Sequence, residues 1–192
     1  MGWAAYRESG TTQEFTGAER DGEYVLRMTT NPGAYSDTWW YGEVLKIFAR
    51  GTIELYARGY LKDAMFGLFW DCHGVFCASL VYVGDDALLV NYSHVRSDPV
   101  DNVSAYDGKA VSEGWHNCRM QLNFDANTIK NKLWSGDFDT EPEAWDQEIG
   151  PSDFNGGELS VHEFASFGPG MGATASSGEI CDLAYWGYEV TP

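Results

Sequence analysis

The chain is short of positive charge: its 192 residues include 12 lysines and arginines against 29 aspartates and glutamates, a formal net charge of −17. Proteins attract nucleic acid mainly through cationic groups that displace counterions from the phosphates. The deficit therefore argues against a nucleic-acid partner. An acidic excess of this size favours a solvated surface that repels other copies. Cation binding, a salty environment and the outer face of an assembly are the alternatives.

Long apolar runs are also absent. The longest, GVFCASLVYVG, is about half of what a membrane-spanning helix requires, so no membrane insertion is expected. The first ten residues, MGWAAYRESG, lack the basic and apolar stretches of a secretory signal. Tyr6 stands where N-myristoylation requires Ser or Thr. The sequence therefore predicts neither a signal peptide nor a lipid anchor.

Cysteine is scarce, with Cys72, Cys77, Cys118 and Cys181 as the four examples. A chain of this length needs no disulfide framework, so free thiols are expected. Cys72, His73 and Cys77 stand together in CHGVFC, but zinc sites combine two such pairs and no second pair is present. Zinc is not expected, and no other cofactor is indicated except the calcium considered below.

Apolar and aromatic residues are plentiful, at 44% and 15%, and many of them alternate with polar residues in short runs. Alternation of this kind predicts strands with one buried and one wet face. The runs TIELYARGYL, CRMQLNF and TIKNKLW predict as buried Ile53, Leu55, Ala57, Met120, Leu122, Phe124, Ile129 and Leu133. The runs VFCASLVYV and ALLVNYSHV are apolar on both sides, which is typical of central strands.

Turn-forming sequences separate these runs: NPG from Asn31, GDD from Gly84, SDPVDN from Ser97, DAN from Asp125, NGG from Asn155 and GPGMG from Gly168. Short strands punctuated in this way predict an all-β protein, an antiparallel two-sheet β-sandwich of the jelly-roll type. No repeat or linker divides the chain, so residues 1–192 are expected to form a single domain. A short helix around EPEAWDQ is an open alternative for that segment.

The second half of the chain, from Trp115 to Val190, resembles the concanavalin A-like, laminin-G-like jelly-roll domains of bacteria and their phages. The resemblance rests on Trp115, Arg119 and, in order, the segments NTIKNKLW, EPEAW, NGGELSV and EICDLAYWGYEV. The SGDFDT turn is longer than the turn usual in that family. The resemblance implies a concanavalin A-like sandwich.

The segment from Trp134 to Trp145 is expected to be structural. Pro142 drives Glu141 into an extended conformation, and Trp134 ends one strand where Trp145 opens the return. Two large rings at the ends of a hairpin can pack on each other or on the sheet. Trp134, Glu141, Pro142 and Trp145 are therefore predicted to fasten the bend.

A catalytic alternative starts from the acids of DFDTE, Asp137 to Glu141, whose spacing resembles the carboxylate strand of family 16 glycoside hydrolases. Gly136 and Pro142 flank these acids, which argues against a central strand there. The Arg-x-Glu-x-Arg and Gln-[Ile/Val]-His motifs of alginate lyases on this fold are absent from the sequence. No catalytic residue is predicted, and a glycosidase or polysaccharide lyase is the less favoured alternative.

A ligand platform is predicted on the wet side of the alternating strands. Its members are Tyr56, Arg58, Arg119, Gln121, Lys130, Lys132 and Trp134, and Trp39 and Trp40 of DTWWYGE are added because consecutive side chains point to opposite sides of a strand. Aromatic rings beside hydrogen-bonding groups suit glycan binding. Solvation or packing against another subunit is the alternative reading.

Calcium is the cation that acidic turns would hold best, because it takes several oxygen ligands. Relatives within the resembled family hold one structural calcium with an aspartate near the start of the last strand, and Asp182 matches that position. A structural calcium at Asp182 is therefore an expectation drawn from the resemblance.

Together these features favour a non-catalytic binding or assembly module. The acidity, the expected lack of a signal peptide and the resemblance to domains of phage structural proteins favour a virion component, a capsid decoration (cement) protein or fibre-like adhesin made in the host cytoplasm. Virion proteins or a cell-surface glycan would be its partners, and symmetric homo-oligomers are common among such modules. A free lectin-like carbohydrate-binding module is the alternative, because a fold does not dictate a role.

Overall fold

The computed structural model describes the backbone of residues 4–7, 13–30, 38–41, 43–45, 51–62, 64–72, 75–83, 88–96, 102–110, 113–150, 165–173 and 180–192. Side chains are described for residues 16–27, 29, 51–62, 68, 113–148, 150 and 181–192. The strands are β1 (Ala4–Arg7), β2 (Gln13–Arg20), β3 (Glu23–Thr30), β4 (Thr38–Tyr41), β5 (Glu43–Leu45), β6 (Thr52–Lys62), β7 (Ala64–Cys72), β8 (Val75–Val83), β9 (Leu88–Arg96), β10 (Asn102–Ala110), β11 (Gly114–Asn123), β12 (Thr128–Ser135), β13 (Gln147–Ile149), β14 (Ala165–Ala173) and β15 (Ile180–Thr191).

These strands form two main antiparallel sheets, which confirms the predicted all-β architecture. The first sheet has seven strands in the order β13-β12-β11-β6-β15-β3-β2. The second has six, in the order β1-β4-β14-β7-β8 with β5 also paired to β14. Strands β9 and β10 pair with each other, and β9 lies beside β8. Strand β7 of the second sheet contacts β6, β11 and β15 of the first, so the two sheets pack as layers.

The core lies on the inner face of the seven-stranded sheet, as the alternation predicts. Ile53, Leu55 and Ala57 of β6 are buried, and so are Met120 and Leu122 of β11. Each fully buried aliphatic side chain contributes about 1.5–3 kcal/mol to folding relative to an exposed one. The buried residues that complete this face, with one from the facing sheet, are Ile129, Leu133, Cys118, Cys181, Leu183 and Leu68. Phe124, also predicted inside, is half-buried in the turn after β11.

The two cysteines among the described side chains agree with the expectation of free thiols. Cys118 and Cys181 are buried and unpaired. Burial raises the pKa of both thiols well above the usual range. The side chains of Cys72 and Cys77, with His73, lie outside the described residues.

Two tight hairpins organise the edges of this sheet. Asp21 and Gly22 join β2 to β3 with positive φ angles of 53° and 85°, which is the Asp-Gly pattern of a two-residue β-hairpin turn. The predicted DAN turn is confirmed between β11 and β12, where Asn127 has a φ of 52° and Asn123 Oδ1 accepts a 2.8 Å hydrogen bond from the Ala126 amide. The turns predicted at NPG, GDD, SDPVDN and NGG lie outside the described residues.

The turn predicted at GPGMG is wrong, because these residues lie inside β14. Pro169 cannot donate a ladder hydrogen bond, but it falls where β14 changes partner: β5 pairs with Ala165 to Phe167, and β4 pairs with Gly170. Proline is tolerated in strands at such interruptions. Glycine and proline mark a discontinuity within a sheet here and not a turn.

The helix considered for EPEAWDQ does not form either. A single 3₁₀ turn, Phe138–Thr140, precedes it, and the chain continues without regular structure to β13. Within the described residues, no helix has the length and apolar character needed to cross a bilayer.

The strands predicted from VFCASLVYV and ALLVNYSHV correspond to β8 and β9, whose side-chain burial lies outside the described residues.

Gly51 and Gly22 both have a backbone conformation that disfavours a side chain, but only at Gly51 would a side chain also lack space. Both have positive φ, at 74° and 85°, so alanine costs about 1 kcal/mol at each. A Cβ at Gly51 would also overlap the Thr191 carbonyl and lie 2.7 Å from the Pro192 carbonyl carbon, whereas a Cβ at Gly22 meets open space. We expect Gly51→Ala to lower the free energy of unfolding by about 3 kcal/mol in urea titrations and Gly22→Ala by about 1 kcal/mol. Equal losses would contradict the packing of the end of β15 against Gly51.

Candidate functional site

The outward side chains of the seven-stranded sheet form one continuous surface, called here the polar face. The strand register sets Arg119 between Tyr56 and Lys132, and Asn117 between Arg58 and Trp134. The same register sets Gln121 between Glu54 and Lys130. The structure therefore brings together the platform residues predicted on these three strands: Tyr56, Arg58, Arg119, Gln121, Lys130, Lys132 and Trp134.

Trp39 and Trp40 do not belong to a strand of this sheet. They lie in β4, where their backbones pair with Tyr6 and Ala5 of β1. That strand is part of the six-stranded sheet, and the two indole side chains lie outside the described residues. The predicted platform is thus divided between the two layers.

Residues 136–146, called here the return segment, lie against one half of the polar face. The Gly136 carbonyl accepts hydrogen bonds from Arg58 Nη1 and from Asn117 Nδ2, the latter at 3.0 Å. Trp134 Nε1 donates to the Asp137 carbonyl at 3.1 Å. These bonds use the polar atoms of Trp134 and part of those of Arg58, so both side chains are buried in the protein's own structure.

Phe138 of the return segment completes an aromatic cluster on the face. Its ring centroid lies 5.4 Å from that of Trp134, 5.8 Å from that of Tyr56 and 5.4 Å from that of Tyr185. Tyr56 in turn lies over Gly187, where a Cβ would come within 2.6 Å of its ring carbon Cζ. The cluster fixes the return segment to β6, β12 and β15.

Glu141 is the ionic anchor of the return segment. Its Oε1 lies 2.6 Å from Lys132 Nζ and 2.8 Å from Arg119 Nε, and its Oε2 accepts a 2.9 Å hydrogen bond from Arg119 Nη2. Burial by itself raises the pKa of Glu141, but the bonds to Lys132 and Arg119 outweigh burial and lower the net pKa. Glu141 is therefore a charged structural group at neutral pH.

The bend is held by contacts of its two indoles with Lys132 and Phe138, and not by packing of the indoles on each other. Lys132 Nζ donates to the Pro142 carbonyl at 2.9 Å and lies 4.5 Å from the Trp145 ring centroid. Trp134 packs on Phe138 rather than on Trp145. Lysine and phenylalanine each link one indole to the bend.

The acids of DFDTE do not converge on a reacting centre. Asp137 and Asp139 are exposed, the first with 87% of its side chain accessible, and Glu141 is turned to Arg119 and Lys132. Their segment is the 3₁₀ turn and its flanks, not a strand. A retaining hydrolase needs two carboxyl groups about 5 Å apart across one bond, and this arrangement does not present them in that way.

Asp182, the residue predicted to bind calcium, is held between two arginines. Its Oδ1 accepts a 2.7 Å hydrogen bond from Arg27 Nε, and its Oδ2 accepts bonds from Arg20 Nε at 2.5 Å and Arg27 Nη2 at 2.7 Å. We call this trio the arginine clamp. Burial raises the pKa of Asp182, but the bonds from Arg27 and Arg20 outweigh burial and lower the net pKa.

The clamp sets two positive charges where a calcium ion would have to bind. Among the described residues, no group of three or more His, Cys, Asp or Glu side chains is arranged to hold a metal ion. The calcium expectation for Asp182 stays a prediction, and the observed geometry does not favour it.

The part of the polar face that the return segment leaves accessible centres on Tyr60 and Trp115, called here the aromatic patch. The two rings meet edge to face with centroids 5.7 Å apart. Trp115 Nε1 donates to Asp21 Oδ2 at 2.9 Å, and Tyr60 Oη donates to Glu113 Oε1 at 2.7 Å. The hydrogen bond to Glu113 is the main reason why the pKa of Tyr60 is raised.

Two arginines lie against the rings of this patch. Arg20 lies 3.8 Å from the Tyr60 ring centroid, and Arg58 lies 4.6 Å from that of Trp115. Cation–π contacts of this kind hold rings in fixed orientations. Both arginines are also ion-paired, Arg20 to Asp182 and Arg58 to Glu23, so the patch is rigidly supported.

Sequence reasoning named Trp115 only for a family resemblance and missed Tyr60, Asp21 and Glu113. Tyr60 continues the two-residue period of Tyr56 and Arg58, so the alternation could have found it. Asp21 and Glu113 lie in turns, where the two-residue period of a strand does not apply and cannot predict the direction of a side chain.

No protein-family model matches this sequence, and no curated protein sequence is significantly similar to it. Solved structures are similar in shape. Alginate lyase A1-II′ of polysaccharide lyase family 7, in complex with its product, aligns with a TM-score of 0.60 at 12% identity, covering 95% of this chain and 85% of that one.

Two plant lectins align over nearly the whole of both chains. The seed lectin of Lotus tetragonolobus has a TM-score of 0.55 at 10% identity, with 98% of each chain covered. The basic winged bean lectin with Tn-antigen has a TM-score of 0.56 at 10% identity, with 100% of each chain covered. The protein therefore has a concanavalin A-like jelly-roll fold, as the sequence resemblance implied.

Replacing Glu141 tests whether the return segment depends on its ion pairs. Glu141→Gln leaves Lys132, only 8% exposed, without its carboxylate, so we expect the free energy of unfolding to fall by about 1–2 kcal/mol. Asp139→Asn, in the same segment but exposed, should change it by less than about 0.5 kcal/mol. Urea unfolding measures both. Equal effects would contradict the anchoring role, and loss of polysaccharide turnover in Glu141→Gln would favour an enzyme.

The arginine clamp should make stability depend on acid pH. Because the pKa of folded Asp182 lies below the ordinary 3.8, its contribution is fully present above about pH 4 and is lost as pH falls through the folded pKa. We expect Asp182→Asn to lose about 2–4 kcal/mol at neutral pH, with a gap to the native protein that narrows below about pH 4. Urea titrations across this range measure the gap.

A constant gap down to strongly acidic pH would contradict the clamp. Adding or removing calcium tests the alternative role of Asp182 as a calcium ligand. If Asp182 serves only to hold the two arginines, neither added calcium nor EGTA shifts the melting temperature. A rise in melting temperature with calcium that Asp182→Asn abolishes would restore the calcium prediction.

Proposed function

We propose that the protein is a non-catalytic carbohydrate-binding module whose ligand lies on the polar face, over the aromatic patch. The observation that carries the proposal is the pair of partly exposed rings, Tyr60 and Trp115, held edge to face between the carboxylates of Asp21 and Glu113. Sugar rings stack their C–H faces on aromatic side chains, and neighbouring polar groups bind the hydroxyls.

The fold adds support of a general kind. The similar solved structures include lectins, one of them with Tn-antigen, and an alginate lyase with its product. Carbohydrate binding is common to both kinds of protein, whereas catalysis belongs to one of them. Binding is therefore the function that both comparisons favour.

The titratable groups of the face favour binding over catalysis. Burial raises the pKa of Tyr185 to about 12, and the pKa of Tyr60 is raised by its hydrogen bond to Glu113. A general base is most effective when its pKa lies near the working pH, so neither phenol suits that role near neutrality. The buried carboxylate of Asp182 and the anchoring carboxylate of Glu141 are committed to arginine and lysine.

A virion adhesin or decoration protein, made in the host cytoplasm, is the finer form of this proposal. The net charge of −17 supports it, because an acidic outer surface keeps a densely displayed module soluble and separate from nucleic acid. Virion proteins and a cell-surface glycan would then be its partners, with assembly as a homo-oligomer. A freely acting lectin-like module is the alternative.

Replacing Trp115 tests the proposal on a glycan microarray. We expect Trp115→Ala to weaken binding at least about tenfold, equivalent to about 1.4 kcal/mol, because the stacking surface is lost. Tyr24→Ala is the matched control: Tyr24 is 86% exposed but lies on the opposite side of β3 from Arg27 and Glu23 of the polar face, so its loss should leave binding unchanged. Trp115→Phe, which keeps a ring, should give an intermediate loss with an unchanged melting temperature.

Equal binding by Trp115→Ala and the native protein would contradict the proposed location. The microarray hits are also incubated with the protein and inspected for shortened or unsaturated products. Turnover of a hit polysaccharide would contradict the non-catalytic assignment and favour a lyase or glycosidase.

A further inference from the structure

The charges of the polar face narrow the class of ligand. We infer that the face binds an uncharged oligosaccharide rather than a polyuronate or a sulfated glycan. The inference rests on the proposed function and goes beyond it by naming the ligand class. Two features carry it: the described cations of the face other than Lys62 already have carboxylate partners, and Asp21 and Glu113, which bind the two rings, have no cationic partner among the described residues.

The cations at the centre of the face are committed to carboxylates of the protein. Arg119 Nη1 lies 2.8 Å from Glu54 Oε2, its Nη2 donates to Glu141 Oε2, and its Nε lies 2.8 Å from Glu141 Oε1. Arg58 Nη2 lies 3.1 Å from Glu23 Oε1. These two arginine side chains are only 14% and 7% exposed, so neither can turn toward an anionic ligand without breaking its internal pair.

The cations nearer the edges of the sheet follow the same pattern. Lys130 Nζ lies 3.2 Å from Glu148 Oε2. Arg20 and Arg27, 21% and 26% exposed, both bind the buried carboxylate of Asp182, so these two positive charges share a single negative one. Lys62, exposed at the C-terminal end of β6, is the described cation of this face for which no ion pair is found among the described residues. One lysine at a margin cannot neutralise a chain of carboxylates or sulfates.

The two acids that bind the rings of the aromatic patch have neutral partners. Asp21 accepts from the Trp115 indole and Glu113 from the Tyr60 hydroxyl, and both carboxylates are exposed. An anionic sugar bound over the patch would face these like charges, and the repulsion would be screened only by salt.

A neutral sugar meets no such repulsion. Its hydroxyl groups donate hydrogen bonds, and the ionised carboxylates of Asp21 and Glu113 are acceptors with free lone pairs beyond those used by Trp115 and Tyr60. Hydrogen bonds from hydroxyl to carboxylate are among the stronger ones. The same acids that repel a uronate can therefore orient an uncharged pyranose on the rings.

Calorimetry of the full chain with defined hexasaccharides tests the inference. The neutral probes are cellohexaose, laminarihexaose and the hexamer of N-acetylglucosamine, and the anionic probes are hexaguluronate and hexagalacturonate. We expect a neutral probe to bind with a dissociation constant that changes less than about twofold between low and high salt, because no ion pair forms on binding. The anionic probes should bind at least about tenfold more weakly than the best neutral probe at low salt, where repulsion is least screened.

Two variants, each of which removes one negative charge, provide a second test by binding affinity. Glu113→Gln keeps an acceptor for Tyr60 but removes the charge, and we expect it to weaken neutral binding about fivefold. Glu19→Gln removes the same charge on the opposite side of β2, where Glu19 is exposed, and should have no effect. Circular dichroism confirms that both variants are folded.

The outcomes separate the inference from the function on which it rests. Binding of the anionic probes that is as tight as, or tighter than, that of the neutral ones, and that weakens with salt, would overturn the uncharged ligand class while leaving carbohydrate binding in place. Binding of an anionic probe by the native protein, without binding of any neutral probe, would do the same. Failure of every neutral and anionic probe would overturn the proposed function together with the inference.

Discussion

The polar face depends above all on the pairing of buried cations with carboxylates from distant parts of the chain. Lys132, Arg58 and Arg119 lie almost out of reach of solvent on a sheet surface that would otherwise be wet. A buried cation left unpaired is strongly destabilising, whereas a pair with good geometry and further hydrogen bonds is tolerated. Glu141 supplies the carboxylate for two of these cations, so the position of the return segment and the ionic balance of the face are set by the same residue.

This arrangement explains why the predicted ligand platform and the predicted structural bend overlap. Trp134 and Lys132 were candidates for ligand contact, and Trp134 was also a candidate for fastening the bend. The structure uses both for the bend, because the Trp134 indole donates to Asp137 and the Lys132 ammonium is held by Glu141 and Pro142. The surface that stays accessible is displaced along the sheet toward Tyr60 and Trp115.

The sequence predicted the structure well where the pattern within a single strand determines the direction of the side chains. The two-residue period of β6, β11 and β12 predicted which side chains share the inner face and which share the polar face, since successive residues of a strand must point to opposite sides. It did not predict that Arg58, Lys132 and Trp134 of the polar face are buried. It could not predict pairings over long separations, such as that of Arg20 with Asp182, 162 residues apart. It also could not predict the irregularity between Leu183 and Tyr185 in β15, which puts Asp182 and Tyr185 on the same face although they are three residues apart. Local punctuation misled in β14, where Gly and Pro mark a change of partner instead of a turn.

Cys118 of β11 and Cys181 of β15 lie on the inner face of the seven-stranded sheet, in the two strands that flank β6, and both are buried with a strongly raised pKa. The thiolate is the form that reacts with oxidants and attacks disulfides, and here it is disfavoured as well as shielded. Oxidising conditions are therefore not expected to change the packing around these two thiols. The seven-stranded sheet can keep the same interior in a reducing cell and in oxidising surroundings outside it.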